Sequence, residues 1–402
     1  MREIKRCAVI FFMGLLTACG GGSGSGASVA TPPDSASLST SASVDLNAMK
    51  ITVEKWSSNA NYPNQGFVSL EICQPQSNNC QTIDHVLVDT GSYGLRLHTN
   101  AISIPLAQTQ INNSPLAECT HFISGFTWGG VFTADIKLGG QTAAAVPIQV
   151  IDGNYAQVPN SCAIGGGNAM NTQNALGANG ILGVGSFQQD CASCATRALT
   201  AHYYACSSTP CVPTAVPLAS QVTNPVAMLP SNDNGVVITL PAVDAKGQVS
   251  ASGTMVFGIG TTDKNTITSE TVFKLDDNGY FTTTYAGRVY TQSFIDSGSN
   301  GIFFSDNTLA RCTLSRGFYC PSTELTKTAT LSTDTVSALV TFKVGNADSV
   351  SDTFAVQPNL AGLGSSFDWG LPFFYGRKVF VSISGKSVQG GTTPIVAFKT
   401  TD

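Results

Sequence analysis

The chain has 402 residues, 11% of them charged, with 40 glycines and a formal net charge of −5. That length suffices for two ordinary lobes around a large core, and a mildly acidic chain with no basic cluster has no electrostatic footprint for nucleic acid. Few charges with abundant Gly, Ser, Thr and Asn exclude a helix-rich protein and point to a turn-rich, all-β, exported one.

Taken in order, Arg2, Lys5 and Arg6 precede an apolar run, Cys7 to Leu16, that is too short to span a bilayer and reads as a targeting segment. It ends in Leu16-Thr17-Ala18-Cys19, which resembles a bacterial lipoprotein processing site. The resemblance implies that residues 1–18 are a signal peptide and that Cys19 carries acyl chains; the alternative is an ordinary cleaved secretory signal. Gly20, with no Asp beside Cys19, is similar to lipoproteins sorted to an outer membrane. The expected location is therefore the cell envelope, by lipid anchor. After Cys19, the rest of residues 19–46 is mainly Gly, Ser, Ala, Thr and Pro, the composition of a flexible tether.

Residues 47–215 form the expected first lobe. Ile51-Thr52-Val53 and Phe67 to Ile72 alternate as strands do. The run Ile83 to Val88 delivers Asp89-Thr90-Gly91-Ser92-Tyr93-Gly94-Leu95. An aromatic, Gly-rich stretch from Phe122 to Phe132 follows, then Asn179-Gly180-Ile181-Leu182-Gly183-Val184-Gly185. Residues 216–402 form the expected second lobe, with strands at Gly279 to Tyr285 and Val289-Tyr290. There the Asp motif returns, 207 residues on, as Asp296-Ser297-Gly298-Ser299-Asn300-Gly301-Ile302. Asp-[Thr/Ser]-Gly alone is a common turn. A second copy that also repeats the flanking apolar residues and the trailing Ser-x-Gly marks an internal duplication. Trp369-Gly370-Leu371-Pro372-Phe373-Phe374 and Lys378 to Ile383 close the chain's regular pattern.

Of 12 cysteines, Cys7 leaves with the signal and Cys19 is spent on lipid. An even set remains, which in an exported protein reads as disulfides. Close spacing suggests Cys73–Cys80 and Cys312–Cys320, and Cys119–Cys162 then pair across the first lobe. Cys191, Cys194, Cys206 and Cys211 pair among themselves in an order the sequence leaves open; their spacing also admits a zinc knuckle with His202 as the nearby imidazole.

The duplicated motif resembles the two active-site loops of pepsin-like, two-lobed aspartic peptidases. The resemblance covers most of residues 47–385, and the chain as a whole also resembles a bacterial lipoprotein family known as a domain of unknown function. It implies an all-β, bilobal pepsin-like acid-protease fold, with two pseudo-twofold-related β-barrel lobes and a cleft between them. Phe122 to Phe132 is similar to the hairpin flap over that cleft. Asn179 to Gly185 and Trp369-Gly370 are similar to the hydrophobic-hydrophobic-Gly elements that complete a ψ-shaped frame under each Asp loop.

Asp89 and Asp296 are then the catalytic pair. Two carboxylates in hydrogen-bond range cannot both ionise cheaply, so they share a proton and can activate a water against a peptide carbonyl. Gly91 and Gly298 allow close backbone approach. By resemblance Thr90 and Ser297 brace the two loops, and Ser92 and Ser299 bond the outer carboxylate oxygens. No metal or cofactor is implied. The expected partner is a polypeptide in the cleft, and the chain is expected to be a monomer.

Several residues depart from the pattern. No Tyr lies between residues 119 and 140, so Phe122, Phe126 or Trp128 would serve as the aromatic lid. Arg96 stands where a flap-partnering Trp is common; facing the cleft it would favour ionised carboxylates. Tyr93 and Asn300 replace second hydroxyls, and Asp368 replaces an apolar residue before Trp369-Gly370. His85, His98, His121 and His202 sit in no hydrolase motif. Two functional readings follow: a membrane-anchored aspartic endopeptidase, or a catalytically silent relative that binds peptide or glycan in the same cleft.

Overall fold

The computed structural model describes residues 47–56, 62–164, 167–207 and 209–400. The expected signal segment, Cys19 and the expected tether lie outside the described residues, as do Asn61 and Gly165-Gly166. Among the described residues the regular structure is nearly all strand, with helical segments of only three or four residues.

Each half is built on the same frame. In the first, the strand Cys80–Asp89 runs into the Asp turn and returns as Tyr93–His98. The strand Gly180–Val184 is inserted between the two, parallel to the former with Gly183 opposite Asp89, and antiparallel to the latter with Leu182 opposite Leu95. In the second half, Arg288–Ile295 and Ile302–Phe304 flank the other Asp turn. Asp368–Trp369 is inserted between them, parallel to one and antiparallel to the other, with Trp369 opposite both Ile295 and Ile302. A further strand lies parallel to each outgoing arm: Gln141–Ile151 beside Tyr93–His98, and Ala361–Leu363 beside Ile302–Phe304. The molecule is thus an all-β, bilobal, pepsin-like fold.

Strands from distant parts of the chain join the halves. Ala48–Val53 pairs along its length with Ala251–Phe257, which pairs in turn with Gly235–Leu240, then Arg377–Ser382 and Ile395–Thr400. The sequence alternation explains the faces. In Phe281–Tyr285, Phe281, Thr283 and Tyr285 turn inward and the threonines between them are half-buried.

The two cores differ in kind. The first half packs aliphatic residues such as Ile72, Val86, Leu97, Ile136 and Ile148, each at most 3% exposed. The second packs aromatic rings: Phe304 stacks on Phe367 at 5.2 Å, and Trp369 meets Phe367 at 4.6 Å and Phe342 at 5.5 Å. Such rings bury about 150–250 Å² each.

Five disulfides form among the described residues, some of them within the buried clusters. Cys73–Cys80, Cys119–Cys162 and Cys312–Cys320 are joined, and the open order in the remaining four resolves to Cys191–Cys194 and Cys206–Cys211. With their thiols spent on each other, these four do not form a zinc knuckle.

Candidate active site

The two Asp turns meet at the centre of the molecule. Thr90 N–H donates to Ser297 Oγ at 3.1 Å, and Ser297 N–H donates to Thr90 Oγ1 at 2.9 Å. Each hydroxyl then donates across to the other half's strand, Thr90 Oγ1 to Ile295 O at 2.9 Å and Ser297 Oγ to Val88 O at 2.7 Å. All of these groups are buried, so the reciprocal brace satisfies every donor that the close approach removes from water. A missed residue strengthens it. Asn64, fully buried, donates 2.8 Å to Asn300 O just beyond the second turn and accepts from Tyr375 Oη at 2.8 Å. Nothing in an isolated turn Asn distinguishes such a role in the sequence.

The brace sets Asp89 and Asp296 face to face. Gly91 N–H donates to Asp89 Oδ1 at 2.7 Å and Ser92 Oγ donates to Oδ2. In the same way Gly298 N–H donates to Asp296 Oδ1 and Ser299 Oγ to Oδ2, both at 2.8 Å. Burial first, then the charge of Asp89, the charge of Asp368 and the hydrogen bond to Asp89, push the Asp296 carboxyl well above the usual carboxylate range, against the Ser299 hydroxyl. Two carboxyls so placed do not both ionise cheaply, and the proton they retain belongs to the pair.

Both carboxyls open onto a cavity of about 1010 Å³. The hairpin Ser114–Phe122 and Gly125–Leu138 covers it, and the tip residues Phe122, Ile123 and Ser124 line it. Of the three aromatic lid candidates only Phe122 lines the cavity. Phe126 and Trp128 are corrected to core positions: both belong to a buried cluster with Cys119, Cys162 and Tyr204, and Trp128 Nε1 donates to Ala156 O. Phe126 and Trp128 share one face with Cys119, the partner of Trp128 in the pairing, and that face packs into the buried cluster; at the tip the successive residues His121 and Phe122 both line the cavity.

Arg96 faces neither the cleft nor solvent. It is fully buried, donating to Glu118 at 2.8 Å, Asp190 at 3.0 Å, Thr120 Oγ1 at 3.0 Å and Tyr93 O. It therefore ties the flap strand to the first Asp turn. For Glu118, burial acts upward but the Arg96 charge and the hydrogen bonds outweigh it, holding the carboxyl low. For Asp190, burial and the Glu118 charge dominate and hold it well above the usual range.

The flap tip is pinned from outside. Asn168–Ala169 pairs parallel with Gly125 and Phe126, and Met170 N–H donates to Phe126 O at 2.8 Å. Two cavity residues carry more weight than their sequence positions suggested. Tyr93 lines the cavity against Phe187, its phenol pushed up by burial and by Tyr280, Asp89 and Asp296. Asp368 lines it from the second inserted strand.

The family model for proteins of unknown function DUF3443 matches residues 43–398. The chain belongs to that family. No curated protein matches it. Among solved structures, the chain is similar to an aspartic proteinase from Irpex lacteus, with 12% identity and a TM-score of 0.49 over 88% of this chain and 96% of that one. In this DUF3443 member the arrangement of Asp89, Asp296 and their brace stands on its own geometry.

Proposed function

We propose that the protein is an aspartic endopeptidase, held at the cell envelope through a lipid on Cys19. The observation that carries the reading is the pair of buried carboxyls, Asp89 and Asp296, each set against the glycine of the opposite turn and both lining one cavity beneath the flap. The cavity floor offers one protonated and one acceptor carboxyl to a bound peptide.

Asp89 accepts a proton from a water held between the pair while the water oxygen bonds to the peptide carbonyl carbon. Asp296 donates its proton to the carbonyl oxygen, giving a neutral tetrahedral intermediate. The proton on Asp89 then passes to the amide nitrogen as the C–N bond breaks, and Asp296 regains a proton from the gem-diol hydroxyl. A carboxylic acid and an amine leave, and the dyad returns to its starting state. The Gly91 and Gly298 amides and the Ser92 and Ser299 hydroxyls keep both carboxyls oriented throughout.

A second reading, a silent binder of peptide or glycan, is favoured by the pinned flap, which Asn168–Ala169 and Cys119–Cys162 hold in place. One experiment separates the two. The full-length protein, with Asp89→Asn and Asp296→Asn beside it, is incubated with an unstructured protein from about pH 3 to about pH 7. Peptide-bond cleavage by the parent and its loss in both variants support the peptidase. Binding of the same polypeptide by all three, with no cleavage, supports the binder.

A further inference from the structure

Strand geometry turns Trp369 into the aromatic core and Asp368 to the opposite face. Asp368 stands in register with Phe294 on one side and Phe303 on the other. It is 2% exposed, its Oδ1 has no hydrogen-bond partner, and it lines the same cavity as Asp89, Asp296 and Ser299. The matching position in the first half is Ile181, which precedes Leu182-Gly183 as Asp368 precedes Trp369-Gly370 and lines the same cavity. One half presents a hydrocarbon where the other presents an acid.

We infer that Asp368 is a third acid of the site, a positioning residue whose own charge keeps a proton on the dyad. The inference rests on the dyad reading above. Once Asp368 ionises, its charge disfavours a second charge on Asp296. The directions agree: burial pushes the Asp368 carboxyl well up, and the Asp368 charge is among the causes that raise Asp296.

The groups around it do not offset that charge. Asp89 and Asp296 face it from the two turns, and the phenols of Tyr93 and Tyr280 lie across the cavity. On the neighbouring strands, Arg288 lies over the Tyr290 ring and Tyr285 is bonded to Asp306. Among the described residues lining the cavity, His121 on the flap is the one side chain able to carry positive charge.

The test titrates full-length protein labelled with carboxyl-¹³C aspartate by NMR from about pH 3 to about pH 9, resonances being assigned with Asp89→Asn, Asp296→Asn and Asp368→Asn. In the parent, Asp368 should titrate above the ordinary carboxylate range; a midpoint near the ordinary value of about 3.9 overturns the inference. In Asp368→Asn, the Asp296 midpoint should fall by about one pH unit, and the alkaline limb of kcat/KM should retreat by about the same. A uniform loss of kcat with the limb unmoved marks a merely structural role and overturns it. Should Asp89→Asn and Asp296→Asn cleave as well as the parent, the peptidase reading fails, and the NMR titration still decides Asp368.

Discussion

A methyl group on Gly91 would stand 2.7 Å from Asp296 Cγ, and one on Gly298 would stand 2.8 Å from Asp89 Cγ. Each turn glycine is the space into which the opposite carboxyl fits. Gly91→Ala and Gly298→Ala should therefore force the dyad apart while leaving both cores intact. The expected result is a fall of at least about a hundredfold in kcat/KM, since small misplacements of reacting groups cost that much, with the melting temperature recorded beside it. The brace makes a separate prediction. Thr90→Val leaves Ser297 N–H and Ile295 O without partners, at a cost of about 1–3 kcal/mol for each buried group. Combining it with Ser297→Ala should cost less than the sum, because the two hydroxyls act as one unit; urea denaturation of both singles and the double checks this. At this scale the duplicated motif made the two facing Asp turns and their hydroxyls legible. Arg96 was not, because its direction depends on Glu118 and Asp190, which come from other elements.

At the scale of elements, the flap differs from a free hairpin. Its strand Ser114–Phe122 is bonded by Cys119–Cys162 to the turn at Asn160–Ala163, and its tip is paired to Asn168–Ala169. A Cβ on Gly125 would fall 2.1 Å from Asn168 O, so the pairing admits no side chain there. Opening the flap therefore carries the segment from residue 159 to residue 170 with it. Replacing both Cys119 and Cys162 with Ser should cost about 2–4 kcal/mol. It should also speed amide hydrogen exchange in the flap and in that segment, with exchange at the Asp turns unchanged. Uniform acceleration across the molecule would contradict a local staple. Short-range disulfides were legible from spacing, as Cys73–Cys80 and Cys312–Cys320 illustrate. Strand alternation was less so in the flap: the aromatic residues look alike in sequence, and only packing with Cys119 separates core-facing Phe126 and Trp128 from cavity-lining Phe122.

Across the whole molecule, buried ionisable groups set the dependence of stability on pH. Asp190, Asp296 and Asp368 are all held well above the usual carboxylate range, burial being the largest cause. A raised folded pKa gives stability that is full below the unfolded value and lost as pH rises through the folded one. His98 acts in the opposite sense: burial lowers it from 6.5 to about 4, so its contribution is lost as pH falls from 6.5 toward 4. His202 is lowered in the same sense. Carboxyls held low, Glu118 among them, lose their contribution only below the unfolded value of about 4, so between about pH 4.5 and about pH 8 the raised acids set the trend and the melting temperature should be higher at the lower value. Asp368→Asn should gain more stability at the higher of those pH values than at the lower. Thermal melts of both proteins at the two pH values check the sign.

What the amino-acid sequence determined by itself was local or repeated: the all-β character, the two Asp turns with their hydroxyls, and disulfides between near neighbours. These follow from turn chemistry, period-two patterning and short loops, which act within a few residues. Tertiary structure alone decided which face of each strand meets the cavity. It buried Arg96 beneath the flap, turned Phe126 and Trp128 into the core, and brought Asp368 to the cavity that the two turns line. Such outcomes depend on the register between strands far apart in the chain, and a shift of one residue would turn each of those side chains to the other face.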